Sequence, residues 1–289
     1  MRKEPPPVTS KMRVAYVQTS PRLGMTRVNL EEAHSLIEKV SDADLVVLPE
    51  LFHSGYAVRD KAEAESLAIS DDAGSETLSM CLDACRKFRM ELVAGILERS
   101  GKILYNSAWH INSNGVAGVY RKNHLFNLEK NIFEPGNDIS PITNAGKARI
   151  GMQVCFDWAF PEMWGRLAWG DNGRNGVHII AHPSNLVLPD ACPLAVRTRA
   201  LENRIFIITA GRVGVDPGPD GEIEFRAGSR IIAPDGSVLA AGHECNPECD
   251  MVTIDHEWAE DKFATPRNHV LNERFMAEVE NVERENILQ

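Results

Sequence analysis

The sequence predicts an α/β protein built on mixed β-sheet, and three observations predict it. Short β-branched runs recur between helical patterns, some neighbouring runs are joined by tight turns, and others are separated by whole helices. Tight turns make hairpins and helical crossovers make parallel pairs, so both kinds of strand pairing are expected. With 289 residues, 43% of them hydrophobic, the chain is long enough to bury a large core as one α/β domain, two domains being the less favoured division.

Arg13 to Gln18 reads as the first strand, and Val28 to Val40 as a helix with Ala33, Leu36, Ile37 and Val40 on one face. Leu45 to Leu48 is a buried strand that Pro49 stops. A second helix covers Glu76 to Phe88. Three strand-like runs follow, Glu91 to Leu97, Ile103 to Ile111 and Gly115 to Tyr120, the last two joined by the hairpin signal Asn112-Ser-Asn-Gly115. An apolar strand from Arg149 to Cys155 leads to a helix that Pro161 opens and that continues to Trp169. After it come a strand Val177 to Ala181, a helix Pro193 to Asn203 and a strand Arg204 to Ala210. The run Gly228 to Ala233, the turn Ala233-Pro-Asp-Gly236 and the run Ser237 to Ala241 form another hairpin. From His269 onward the chain is rich in Glu, Asn and Arg, and reads either as a solvated helix or as an arm packed on another subunit.

Composition excludes several classes. There are 31 basic and 41 acidic side chains, a formal net charge of -10, and no basic stretch long enough to track a phosphate backbone, which disfavours nucleic acid as a partner. Residues 1–10 carry charge and prolines with no apolar segment behind them, so they read as a disordered tail rather than a signal peptide or anchor. No apolar run approaches a membrane span, and the expected home is the cytoplasm. The 6 cysteines are too few for a disulfide framework in a chain this long. Cys81 and Cys85 share a helical face with Leu78 and Leu82 and read as core thiols; Cys245 and Cys249 flank a turn-like Asn246-Pro-Glu248, where a zinc half-site or redox pair has no visible partner half.

Four residues at strand ends stand out. Cys155 closes an apolar strand just before a helix start, where a sharp turn exposes a thiol and free N–H groups lie beyond it. A buried cysteine there is also ordinary packing. Glu50 follows Leu45-Val-Val-Leu-Pro49 directly, and a carboxylate at the end of a buried strand costs several kcal/mol unless it is paired or caps the next turn. Lys122 lies just past another strand, beside Arg121, and Glu129 follows it by seven positions.

The stretches Leu48-Pro-Glu-Leu-Phe52, Tyr120-Arg-Lys-Asn-His-Leu-Phe126, Glu129-Lys-Asn-Ile-Phe-Glu-Pro-Gly136 and Gly151-Met-Gln-Val-Cys-Phe-Asp-Trp-Ala-Phe-Pro-Glu162 resemble, in order, the signature segments of the nitrilase superfamily of carbon-nitrogen hydrolases. The resemblance continues through Ala181-His-Pro-Ser-Asn185, Arg199 to Arg204, Arg212-Val-Gly214 and Gly228 to Gly236. It implies a four-layer αββα sandwich, with the hydrolase domain over 11–268 and a tail, 269–289, that could serve as a subunit contact. It also implies a catalytic triad of Glu50, Lys122 and Cys155, with Glu129 as a second glutamate.

The chemistry follows from those residue types. A thiol is largely protonated at neutral pH, so Glu50 takes its proton during attack on a carbonyl or nitrile carbon. The Lys122 ammonium and the Phe156 backbone N–H stabilise the charge that develops, and Glu50 then protonates the leaving amine and activates water against the thioester. Glu129 holds Lys122 and accepts from a substrate N–H. No metal and no cofactor is required. Phe156-Asp157 after the cysteine, in place of the Trp-Glu typical of nitrilases proper, favours a small linear amide or N-carbamoyl substrate, with an aliphatic nitrile as the alternative and a non-catalytic binding module as the third reading. Ser184 and Asn185 sit where such proteins line the pocket, and read equally as a turn cap.

The pattern departs from the superfamily at the long polar stretch Trp169 to Gly176, at Gly211, which replaces the usual Asn or Asp, and at Asn272-Glu-Arg-Phe275. The resemblance implies a homodimer formed through the helices that flank the cysteine segment.

Overall fold

Strand Lys11–Gln18 explains why the chain folds in layers. Val14 and Tyr16 belong to one buried cluster and Ala15 and Val17 to another, because successive side chains leave a strand on opposite faces. Leu45 and Val47 against Val46 and Leu48 repeat the alternation. Strands buried on both faces need a partner layer on each side. The computed structural model describes residues 10–70, 74–171, 175–188, 190–218 and 221–274.

Two six-stranded sheets form the middle layers. The first runs in the order Glu248–Asp255, Lys11–Gln18, Leu45–Val47, Glu91–Ser100, Ile103–Asn112, Gly115–Arg121. The second runs Val238–Ala241, Arg230–Ile232, Phe206–Gly211, Ile179–Ser184, Ala148–Met152, Thr143–Ala145. Each has three parallel strands flanked by antiparallel ones. The parallel strands are linked by helices: α1 (Thr26–Lys39), α2 (Lys61–Leu67) and α3 (Glu76–Phe88) in the first half, α4 (Pro161–Trp169) and α5 (Ala191–Asn203) in the second. Leu30, Ala33, Ile37, Leu78 and Ala84 of α1 and α3 pack on one face of the first sheet. Its other face meets the second sheet, whose cluster continues to Trp164, Leu167, Val196 and Ala200 of α4 and α5. The architecture is thus an αββα sandwich.

Several expected elements move. The strand expected over Arg149 to Cys155 ends at Met152, because the Val154 N–H is diverted to the Asp157 carboxylate, 2.9 Å away, and Cys155 turns into the left-handed region at φ 43°. The strand expected at Val177 to Ala181 shifts to Ile179–Ser184. Helix α2 was not predicted, since it buries little besides Ala64. The hairpin Val213–Gly218 and Gly221–Arg226 was not predicted either, its strands being rich in Gly, Pro and acids.

Cys81 and Cys85 lie buried on α3, with the Cys85 thiol donating to Ile111 O at 3.5 Å. Cys249 falls not in a turn but in strand Glu248–Asp255, paired with Val17, while Cys245 is exposed. Among the described residues no helix is long and apolar enough to cross a membrane. Residues 1–9, most of the C-terminal tail from Phe275, and residues 172–174 of the long polar stretch lie outside the described residues. The described start of the tail is not helical: Asn268–His269 pairs with Phe263–Thr265.

Candidate active site

Turns beyond strand ends bring the candidate residues together: Glu50 and Cys155 lie past parallel strands, and Lys122 lies past the antiparallel edge strand Gly115–Arg121. Glu50 lies three residues beyond Leu45–Val47 and is followed by Leu51 at φ 50°. The backbone there runs so close to the neighbouring strand that a Cβ on Gly95 would lie 2.3 Å from Glu50 Cα, so only glycine fits. Lys122 follows strand Gly115–Arg121, its N–H donating to Asn106 O at 2.8 Å and its O accepting from Gly136 N at 2.9 Å. Glu129 rides a 3-10 turn, Asn127–Asn131, and accepts from the Phe126 N–H at 2.9 Å. Cys155 opens a second 3-10 turn, Cys155–Ala159. Its strained backbone is held by His182, whose Nε2–H donates to Cys155 O at 2.9 Å. A carbonyl only accepts, so His182 carries its proton on Nε2 and takes the Thr209 hydroxyl on Nδ1, 3.1 Å away. Burial lowers the His182 ring to about 4, so it stays neutral.

At the centre, Lys122 Nζ is 2.7 Å from Glu50 Oε1, 2.9 Å from Glu129 Oε1 and 2.8 Å from Glu129 Oε2. Lys122 and Glu50 are fully buried and Glu129 nearly so. Burial alone would strip the lysine of its proton, but the carboxylates of Glu129 and Glu50 overcome it and raise Lys122 well above the ordinary lysine range. Burial raises the Glu50 carboxyl, and Lys122 opposes that rise. The Cys155 thiol is also raised, by burial first and then by Glu50, so at rest it is a neutral thiol that donates to Asn185 O at 3.6 Å. Such a thiol needs a base to become a nucleophile. Glu50 Oε1 accepts from Lys122 and from Asn106 Nδ2, 2.6 Å away, while its buried Oε2 has no hydrogen-bond partner among the described residues.

Asp157 does something else. Its Oδ1 accepts from the His124 N–H at 3.2 Å and sits 2.8 Å from His124 Nδ1; its Oδ2 accepts from the Tyr120 hydroxyl and from Val154 N, both at 2.9 Å. It ties the Cys155 turn to the segment that carries Lys122. Asp157 was expected to hint at the substrate, but its carboxylate is fully buried and occupied by these four bonds, so any influence on substrate choice is indirect. Phe156 contributes one of the leading N–H groups of the Cys155–Ala159 turn, and its ring packs on Phe126, Trp158 and Phe160.

Of the two residues left between turn cap and pocket wall, Ser184 is buried with its hydroxyl 3.3 Å from either nitrogen of His182. Asn185 is more central: its Nδ2 donates to the Glu50 main-chain O at 2.8 Å, and its own O accepts from the thiol. The Gly211 departure also has a local reason, since its N–H donates to Ser229 Oγ at 2.9 Å and any Cβ would lie 1.8 Å from Ala227 O.

Sequence reasoning missed Asn106, His182 and Tyr56. The Tyr56 hydroxyl donates to Glu129 Oε1 at 2.8 Å. Its ring meets Phe225 edge-on at 5.6 Å, and Phe225 in turn lies under Arg212, at 4.2 Å, which pairs with Asp216. The unpredicted hairpin therefore reaches the site. Asn106 carried a weak signal, a carboxamide in a strand that also holds Ser107 and His110.

A family model described as carbon-nitrogen hydrolase matches residues 13–263. A Pyrococcus abyssi protein named nitrilase is 38% identical over 265 residues, covering 91% of this chain and 97% of the relative. A Pseudomonas protein named (R)-stereoselective amidase is 30% identical, covering 79% of this chain and 80% of the relative. Among solved structures, the carbon-nitrogen hydrolase of Helicobacter pylori superposes with a TM-score of 0.76 at 25% identity, over 88% of this chain and 92% of that one. A superfamily protein of Xanthomonas campestris reaches a TM-score of 0.78 at 22% identity, over 92% and 98%. On its sequence, its layered fold and these likenesses, the chain belongs to the carbon-nitrogen hydrolase family of the nitrilase superfamily and is an enzyme of that class.

Proposed function

We propose that the enzyme cleaves the C–N bond of a small linear amide or N-carbamoyl compound, giving acid and ammonia through a Cys155 thioester. One observation carries this reading: a fully buried lysine is clamped between two carboxylates, one of which keeps a free oxygen, in the same electrostatic cluster as a neutral thiol. Glu50 Oε2 takes the thiol proton as sulfur attacks the carbonyl carbon. Lys122 and the Phe156 N–H stabilise the developing oxyanion. Glu50 returns the proton to the leaving amine, then takes one from the water that hydrolyses the thioester. Glu129 keeps Lys122 charged and accepts from the amide N–H, a group that a nitrile lacks. Asn185 holds the Glu50 main chain beside the thiol.

The second reading, an aliphatic nitrilase, is favoured by the 38% identity to the Pyrococcus protein of that name. The same base and water would carry a thioimidate to the acid. Ammonia release from a panel of amides, N-carbamoyl amino acids and nitriles, compared with Cys155→Ala, separates the two. Release from amides with an acyl adduct on Cys155 by intact mass supports the first reading, release from nitriles alone replaces it with the second, and neither release nor adduct overturns both.

We further infer a homodimer that covers the outer face of α5. Leu194 and Leu201 stand seven residues apart on one helix face and are 69% and 51% exposed. Light scattering that gives a monomer mass would overturn this. Six free cysteines support a reducing, cytoplasmic setting.

A further inference from the structure

We propose that Asn106 is a positioning residue of the reaction: it fixes one oxygen of the Glu50 carboxylate and so selects the other as the base. The inference rests on the reading of Glu50 as the base. Asn106 lies in strand Ile103–Asn112, paired with Leu97, and is fully buried. Its main-chain O receives the Lys122 N–H at 2.8 Å, and its Nδ2 donates to Glu50 Oε1 at 2.6 Å. One residue therefore sets the height of the lysine and the rotation of the carboxylate.

The rotation matters because a carboxylate's last torsion is broad and nearly two-fold. Lys122 alone would not resolve it, since a rotating ammonium can follow either oxygen. With Asn106 also on Oε1, both donors converge on one atom and Oε2 is left without a partner. The base is chosen by subtraction.

A merely structural asparagine would be expected to satisfy its own amide. This one does not: its Oδ1 is buried with no partner among the described residues. Leucine has nearly the same shape and leaves no orphan acceptor, so stability alone would favour it here. The carboxamide spends its donor on Glu50 Oε1, which points to a role in the site.

The groups that face Glu50 are Lys122, Glu129 and Cys155, with the Tyr56 hydroxyl on the far side of Glu129. Asn106 and Lys122 favour the charged carboxylate, whereas burial and Glu129 oppose it. Loss of the Asn106 donor therefore raises the pH at which Glu50 ionises.

The test needs no knowledge of the substrate. The rate of Cys155 alkylation by iodoacetamide is followed by intact mass from about pH 5 to 9 in the wild type, Asn106→Leu, Asn106→Ala and Glu50→Gln. The wild type should show a rising limb that Glu50→Gln loses. Asn106→Leu should keep or raise the urea midpoint while its limb moves up by about one pH unit, with about tenfold slower alkylation on the acid side. Folded Leu and Ala variants whose limb stays at the wild-type pH would overturn the proposal and leave Glu50 as the base. If neither variant folds, Asn106 is structural and the proposal also falls. If Glu50→Gln retains the wild-type limb, it is the assignment of the base that fails.

Discussion

Two fully buried carboxylates serve the same small region and are wired in opposite ways. Asp157 is saturated, with two bonds on each oxygen drawn from Tyr120, His124 and Val154. Among the described residues, Glu50 has two donors on Oε1 and none on Oε2. A saturated buried carboxylate has no lone pair left for chemistry and acts as a tie between chain segments. An unsaturated one bears a desolvation cost with no structural return, and holds an oxygen ready for a proton. The contrast distinguishes a tie from a proposed base more sharply than burial does, since the two residues are equally inaccessible to water.

The contrast is most exposed to a test at its reactive end. Glu50→Gln should lower kcat by about 10²–10⁴-fold while the urea midpoint barely moves. Turnover within tenfold of wild type would show that the free oxygen is not the base. Asp157→Asn should do the reverse, because an amide cannot accept all four bonds and brings a donor toward other donors. A stability loss of about 3 kcal/mol, near 6–12 °C in Tm, is expected in a calorimetric scan. An unchanged Tm would remove Asp157 from the frame.

The frame should also weaken in acid. Burial depresses His53 to about 3 and His182 to about 4, both below the ordinary imidazole value of about 6.5. The unfolded rings take up protons first, so their contribution is present above about pH 6.5 and is lost as pH falls toward 4. Near pH 5 the loss is about 2 kcal/mol per ring. Glu50, raised by burial, works in the opposite sense, adding stability as pH falls through its raised value. Urea midpoints at pH 7 and 5 measure the net, and a smaller difference in His182→Gln identifies that ring's share. An identical slope in the variant would exclude it. The smallest effect belongs to Tyr56→Phe, which removes one of the bonds to Glu129 and should cost about five- to tenfold in kcat with little change in stability. Full activity would make Tyr56 a packing residue.

Much of the frame was legible because it is local. Helix α3 starts where Ser75 caps Leu78 N and ends at Phe88, as the pattern of Glu76 to Phe88 predicts. The apolar run Leu45–Val47 announces a strand buried on both faces, and Ile179–Ala181 opens another whose last three residues, His182 to Ser184, the pattern leaves out. Glu50, Lys122, Glu129 and Cys155 drew notice through their flanking motifs and their places at strand ends or turns, and the fold brings them together. The hairpin over 213–226 was not, because Gly214, Pro217 and Gly218 lack strand propensity and its order comes from Phe225 and the buried Arg212–Asp216 pair. Asn106 and Tyr56 were passed over because a polar residue acquires a role only through its partner, and those partners lie 56 and 73 positions away.

The sequence by itself determined which side chains could do chemistry and where the chain turns to present them: a thiol, a lysine and two glutamates, each beyond a strand. Only the tertiary structure decided their states. Lys122 keeps its proton because Glu129, seven residues on, and Glu50, from a distant turn, surround it, and Cys155 keeps its own because burial and Glu50 oppose a thiolate. The oxygen of Glu50 that remains free is settled by an asparagine on another strand. Protonation and hydrogen-bond occupancy are sums over neighbours in space, and folding sets those neighbours.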